Sequence, residues 1–151
     1  MKVQSLGHVV LKVADLERSE QFYNGVLGMP VCARFDEQGM KMTFFSLGNH
    51  HDLAIAKVSG EEAAAGEEAV GLDHVAFCIG SSLDELVEAK RQLEATGVVP
   101  NPVDHDVTKS LYFNDPDGHT VEVYVDVSDA WREEPQLIAQ VKPLELQGNS
   151  G

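Results

Sequence analysis

The chain repeats one pattern twice. Leu6-Gly7-His8-Val9-Val10-Leu11-Lys12-Val13 and Leu72-Asp73-His74-Val75-Ala76-Phe77-Cys78-Ile79 are both short apolar runs with an embedded histidine, and the histidines are 66 residues apart. A repeat of that length is one supersecondary unit used twice, so whatever topology suits one half must suit the other. A helical stretch follows each run. The first starts at Asp15, a good N-cap, places Leu16, Ser19, Tyr23 and Val26 on one face and stops at Gly28. The second starts at Ser82 with Glu85 completing a capping box, carries Leu83, Leu86, Val87 and Leu93 inward and stops at Gly97. Three strand-like runs then follow in each half: Pro30–Phe35, Met40–Leu47 and Asp52–Val58, then Val98–Pro102, Ser110–Asn114 and Thr120–Val125. Both halves read βαβββ, an α+β chain.

The modules run over about 1–58 and 70–127 of a single domain, 1–127, with Ser59–Ala69, rich in Glu, Ala and Gly, as a surface linker. The extension 128–151 has one clear anchor, Trp131, alternating apolar residues from Leu137 to Leu146, and a Gly-Asn-Ser-Gly end expected to fray. A formal charge of -14 argues against nucleic acid or anionic membrane as a partner, since both are recognised through basic patches. Cys32 and Cys78 sit in strand-like runs and suggest no disulfide framework. Neither a signal segment nor a membrane-length apolar run is evident, so a cytoplasmic protein is expected.

The stretch Leu111-Tyr112-Phe113-Asn114-Asp115-Pro116-Asp117-Gly118-His119-Thr120-Val121-Glu122-Val123-Tyr124-Val125 reads as two strands joined by an Asp-Pro-Asp-Gly turn. Proline presets φ at the first corner and glycine accepts the positive φ that closes the turn. Alternation aims Glu122 opposite to Val121 and Val123. A carboxylate facing an enclosed space wants a cation or a hydrogen-bond partner.

Two tandem βαβββ modules with Gly7-His8-Val9-Val10, Leu72-Asp73-His74-Val75-Ala76-Phe77 and Asp115-Pro116-Asp117-Gly118…Val121-Glu122 closely resemble the vicinal-oxygen-chelate superfamily over about residues 5–127. That superfamily includes glyoxalase I, fosfomycin and bleomycin resistance proteins and extradiol dioxygenases. The resemblance implies modules curled into a curved mixed sheet around a metal, with His8, His74 and Glu122 on the ligand positions. Two imidazoles and one carboxylate from separate strands form a facial set that leaves three positions open on an octahedral ion, as expected for non-haem Fe(II). Mn, Ni, Co and Zn are further possibilities. Asp73 and His119 flank these motifs and are expected to face away.

Glyoxalase I takes a fourth ligand from the last strand of the first module, where this chain has Leu53-Ala54-Ile55-Ala56. Counting back 66 residues from Glu122 lands on Ala56, so three ligands are expected. Asn49-His50-His51-Asp52-Leu53-Ala54 resembles the His-His-x-x-Ala run of extradiol dioxygenases, whose second histidine is an acid–base group; His51 matches it. Tyr112 matches a tyrosine that hydrogen-bonds a catechol oxygen, and His105 resembles a further pocket histidine at a shorter spacing. Alternation is expected to turn His50 away. The resemblance thus implies an extradiol-type dioxygenase acting on a small aromatic diol with O2, and a homodimer is expected. An isomerase, epimerase or thiol transferase using Ni, Mn or Co is the alternative enzyme class. A drug-sequestering protein is the non-enzymatic one, disfavoured by the three ligands.

Overall fold

In the first of its two units, Met1–Ala69 and Val70–Gly151, the chain forms β1 (Val9–Val13), α1 (Leu16–Glu20), β2 (Val31–Glu37), β3 (Met40–Phe45) and β4 (Leu53–Lys57). The computed structural model describes residues 5–37, 39–58 and 72–146. The expected linker 59–69 and the Gly-Asn-Ser-Gly end lie outside the described residues. Asp15 caps α1 by accepting the Arg18 N–H at 3.0 Å. The helix then loosens into a π turn over Gln21–Val26 rather than continuing as α-helix to Gly28. That turn carries the buried Phe22 and Tyr23, and Ser19 is buried one turn earlier. They close one sheet face together with Leu11, Val13, Phe45, Leu53 and Ile55.

The second unit repeats the order: β5 (His74–Gly80), α2 (Leu83–Ala95), β6 (Asn101–Asp104), β7 (Thr108–Asn114) and β8 (Thr120–Asp126). It adds β9 (Lys142–Pro143) from the tail, so the described strands number nine rather than eight. They are hydrogen-bonded as two mixed sheets, β1-β4-β3-β2 and β5-β8-β7-β6-β9. In each, the strand before the helix lies parallel to the last strand of its module, and the remaining pairs are antiparallel.

Several boundaries differ from expectation. β1 begins at Val9, so His8 precedes the strand instead of sitting inside it, whereas His74 opens β5. β6 begins at Asn101 because the turn after α2 consumes the preceding residues: Gly97 adopts φ 84° and the Val98 N–H caps the Leu93 carbonyl at 3.2 Å. Val99, apolar in sequence, is left exposed. Within α2, Leu86 and Leu93 are buried, but Leu83 is 46% exposed and Val87 only half-buried. Leu83 is the first helical residue, and side chains lean toward the helix N-terminus, away from the packed turns. The capping box forms as read, with Ser82 accepting the Glu85 N–H and Glu85 accepting the Ser82 N–H. Among the described residues no helix is long and apolar enough to cross a membrane.

Candidate functional site

β8 sets the site of the second unit. Val121, Val123 and Val125 are buried on the face that meets α2. Thr120, Glu122, Tyr124 and Asp126 therefore occupy the opposite face. The register places Tyr112 of β7 against Glu122, and Ser110 against Tyr124. The turn between β7 and β8 fixes that register. Gly118 takes φ 87°, and the Asp115 carboxylate accepts the Asp117 and His119 N–H groups at 2.9 and 2.8 Å. Asp115 also holds His119 Nδ1 at 2.8 Å and raises its pKa.

Glu122 is buried and engaged at both oxygens. Oε1 accepts the Ser110 hydroxyl at 2.6 Å, and Oε2 lies 3.2 Å from His74 Nε2. Behind His74, Asp73 Oδ2 meets Nδ1 at 2.5 Å. Asp73 thus does not face away: it precedes β5, so strand alternation does not govern it. With Nδ1–H donating to Asp73, the His74 tautomer presents a lone pair at Nε2 to the carboxylate oxygen. Two lone pairs at that separation need a proton or a metal ion between them, so the donor chemistry fits a divalent cation. Carboxylate–histidine pairing behind a ligating nitrogen is the usual support of such a site. Among the described residues no three His, Cys, Asp or Glu side chains form a ready-made metal cluster.

The same unit gathers Tyr112 and His105. The Tyr112 hydroxyl lies 3.0 Å from His105 Nε2, and His105 Nδ1 lies 2.7 Å from the Gln140 carbonyl. A carbonyl only accepts, so Nδ1 carries hydrogen and a neutral His105 accepts the phenol proton at Nε2. Burial, then the neighbouring Glu122 carboxylate, push the Tyr112 phenol above its ordinary range, which keeps it a donor. The His74 and Tyr112 rings meet edge-on at 5.5 Å. A cavity of about 380 Å³ opens beside Glu122, lined also by Val107 and Thr108, by Tyr124 and Asp126 of β8 and by the tail residues Trp131 and Ile138.

In the first unit His8 is exposed, and its ring lies 4.1 Å from His51 and 6.1 Å from His50. Residues 46–52 form a turn, tied by Ser46 Oγ to the Asn49 carbonyl at 2.5 Å and by the Leu47 N–H to Asp52 at 2.7 Å. Because this is not a strand, His50 does not point away from His51: their Nδ1 atoms are 2.8 Å apart. Phe44 packs against His51 at 5.2 Å. Burial, with His8 and His50 adding to it, lowers the His51 pKa.

Sequence reasoning missed Ser110, Asp73, Tyr124, Asp126, Thr108 and Ile138 as site residues. Ser110 carried a signal, since it stands two residues before Tyr112 on the same strand face. Asp73 and Ile138 carried none that alternation could read.

The sequence model for the Glyoxalase/Bleomycin resistance protein/Dioxygenase superfamily matches residues 5–123. Biphenyl-2,3-diol 1,2-dioxygenase 3 of Rhodococcus globerulus is 36% identical over 124 residues, 80% of this chain and 63% of that protein. The chain therefore spans under two-thirds of that dioxygenase. Metallothiol transferase FosB of Lysinibacillus sphaericus (strain C3-41) is 30% identical over 125 residues, 82% of this chain and 84% of that protein. Among solved structures, a glyoxylase/bleomycin resistance protein/dioxygenase domain from Frankia sp. EAN1pec superposes with a TM-score of 0.71 at 22% identity. It covers 83% of this chain and 99% of its own, a likeness of fold. With the family match spanning most of its length, the chain belongs to the glyoxalase/bleomycin resistance protein/dioxygenase superfamily.

Proposed function

We propose that this chain is a metal-dependent ring-cleaving dioxygenase for a catechol-like diol, using Fe(II). The observation that carries this reading is the convergence of His74 Nε2 and Glu122 Oε2 at 3.2 Å, with Asp73 and Ser110 behind them and the Tyr112 hydroxyl beside them. His74 and Glu122 hold the ion. His8, at the matching position of the first repeat, is the third ligand, and its place rests on the sequence repeat. A divalent ion held by these residues would supply Lewis-acid chemistry toward a vicinal diol and dioxygen.

The remaining work falls to the chain's own groups. Ser110 and Asp73 hold the carboxylate and imidazole in orientation, so neither ligand needs to reorganise. Tyr112 is kept protonated, and turning its one proton from His105 Nε2 to a substrate oxygen would let it donate a hydrogen bond there. His51 is assigned the proton transfer: an imidazole with its pKa held below the ordinary value is an unprotonated base at neutral pH. Ring cleavage needs a proton to leave the diol and one to reach an oxygen intermediate, and a single imidazole can do both.

A thiol transferase is the second reading, supported by the resemblance to FosB, of which this chain covers 84%. Against it, among the described residues the cavity beside Glu122 is lined by no lysine or arginine, the groups that would receive an anionic phosphonate. Anaerobic purification with Fe(II), followed by oxygen uptake and ring-cleavage absorbance over a panel of catechols, separates the two. Catechol-dependent oxygen consumption supports the dioxygenase. Metal-dependent consumption of a thiol by an epoxide, without oxygen uptake, would overturn it.

A further inference from the structure

The cavity of the second unit extends beyond the residues that the proposed chemistry uses. It runs along β8 from Glu122 past Tyr124 to Asp126, a Cα span of about 13 Å at the usual strand rise. Its roof is the tail. Trp131 and Ile138 line it while remaining 39% and 62% exposed, so they are apolar groups held at an opening rather than in a core.

The tail is tied down independently on both sides of that roof. The Val127 and Ser128 N–H groups share the Val107 carbonyl at 3.0 and 3.2 Å. Further on, the Gln140 carbonyl meets His105, β9 pairs with β6, and Lys142 reaches Asp106 at 2.6 Å. A roof anchored at both ends is a built wall.

Chemically the two ends of this cavity differ. At the Glu122 end are the groups assigned to the diol. At the far end the exposed Asp126 carboxylate accepts the Cys78 thiol, a weak donor, at 3.7 Å, and Thr108 adds a hydroxyl. A carboxylate beside apolar side chains favours a hydrogen-bond donor, above all a cation, and disfavours an anion. The volume, about 380 Å³, equals roughly a dozen waters at about 30 Å³ each, more than one ring alone needs.

We propose that the cavity is a specificity subsite for a substrate arm: an aromatic ring bearing a short chain that ends in an ammonium or hydroxyl group, with Trp131, Ile138 and Tyr124 around the apolar part and Asp126 at its tip. This rests on the dioxygenase reading only for the identity of the ring head. The substrate class is therefore an amine- or alcohol-substituted aromatic diol, and acidic side chains are disfavoured.

Trp131 is the only tryptophan, so its fluorescence reports occupancy of this cavity directly. The full chain is titrated with 2-phenylethylamine, 2-phenylethanol and 3-phenylpropionate, none of which carries a vicinal diol. Saturable fluorescence changes are expected, with the amine binding about threefold to fivefold more tightly than the carboxylate, the upper scale of one exposed ion pair. Asp126→Asn is expected to bring amine and carboxylate to within about twofold while leaving the alcohol unchanged. Ile138→Ala is expected to weaken all ligands that bind, and circular dichroism of each variant confirms folding. No saturable change with any compound, equal binding of amine and carboxylate by the parent, or an unaltered preference in Asp126→Asn would overturn the subsite. Because no compound here needs metal or oxygen, a positive result with no catechol cleavage would remove the dioxygenase reading and leave the subsite standing. Cleavage of catechol without amine preference would do the reverse.

Discussion

Replacing Ser110 with alanine removes one oxygen atom from a fully buried position and leaves Glu122 Oε1 without the hydroxyl that it accepts at 2.6 Å. A hydrogen bond to a charged acceptor contributes about 1.5–3 kcal/mol, more than a neutral pair, because the carboxylate loses water on burial. For a chain of this size each kcal/mol moves the melting temperature by about 2–4 °C, so Ser110→Ala should lower it by roughly 3–12 °C in the metal-free protein. The effect belongs to the pair. In Glu122→Ala the serine has no carboxylate to serve, and adding Ser110→Ala should then cost little. A double-mutant cycle by thermal unfolding of the metal-free chain should therefore return a coupling energy of about 1.5–3 kcal/mol. The metal readout is separate: calorimetric titration with Mn(II) should show Ser110→Ala binding about 10- to 100-fold more weakly, the usual loss when a ligand's support is removed. If Ser110→Ala melts within about 1 °C of the parent and binds metal within about twofold of it, the hydroxyl supports neither the fold nor the carboxylate, and this account of Glu122 is wrong.

Metal analysis should show that His8→Ala, His74→Ala and Glu122→Ala each abolish stoichiometric binding, whereas Asp73→Ala only weakens it, about tenfold; parent-like metal content in Glu122→Ala would sink the ligand assignment. The His119–Asp115 contact raises the folded-state pKa of His119, so its stabilisation is complete below the unfolded value of about 6.5 and fades as pH rises through the raised one. The melting-temperature gap between parent and His119→Gln should accordingly be widest near pH 5–6 and close at alkaline pH; a pH-independent gap would remove the charge from the explanation. His51→Gln should retain iron and slow ring cleavage by about 10²–10⁴ in steady-state kinetics, and unchanged turnover would unseat it as the acid–base group. A homodimer is expected at micromolar concentration, since β1 and β2 leave open sheet edges in the first unit; sedimentation as a monomer would refute that.

The sequence alone was sufficient for the two βαβββ modules, the Ser82–Glu85 capping box, the Asp115–Gly118 turn and the inward aim of Glu122. Each depends on a local rule, and local rules are written in consecutive residues: Glu122 faces opposite to Val121 and Val123 because side chains alternate along any strand. The same rule misjudged Asp73 and His50, which lie just outside strands, where backbone turns rather than the pleat set direction. Apolar runs also extended β1 back over His8 and started β6 at Val98, because apolar residues do not mark where a strand begins. Tertiary structure alone decided which distant groups share a space. Ser110 and Glu122 are twelve residues apart, and Gln140 reaches His105 from thirty-five residues away. Trp131 and Ile138 line a cavity with Tyr124 because the tail is pinned to β6 and to the turn before β7. Those pairings follow from register and from closure of long loops, which no periodicity encodes.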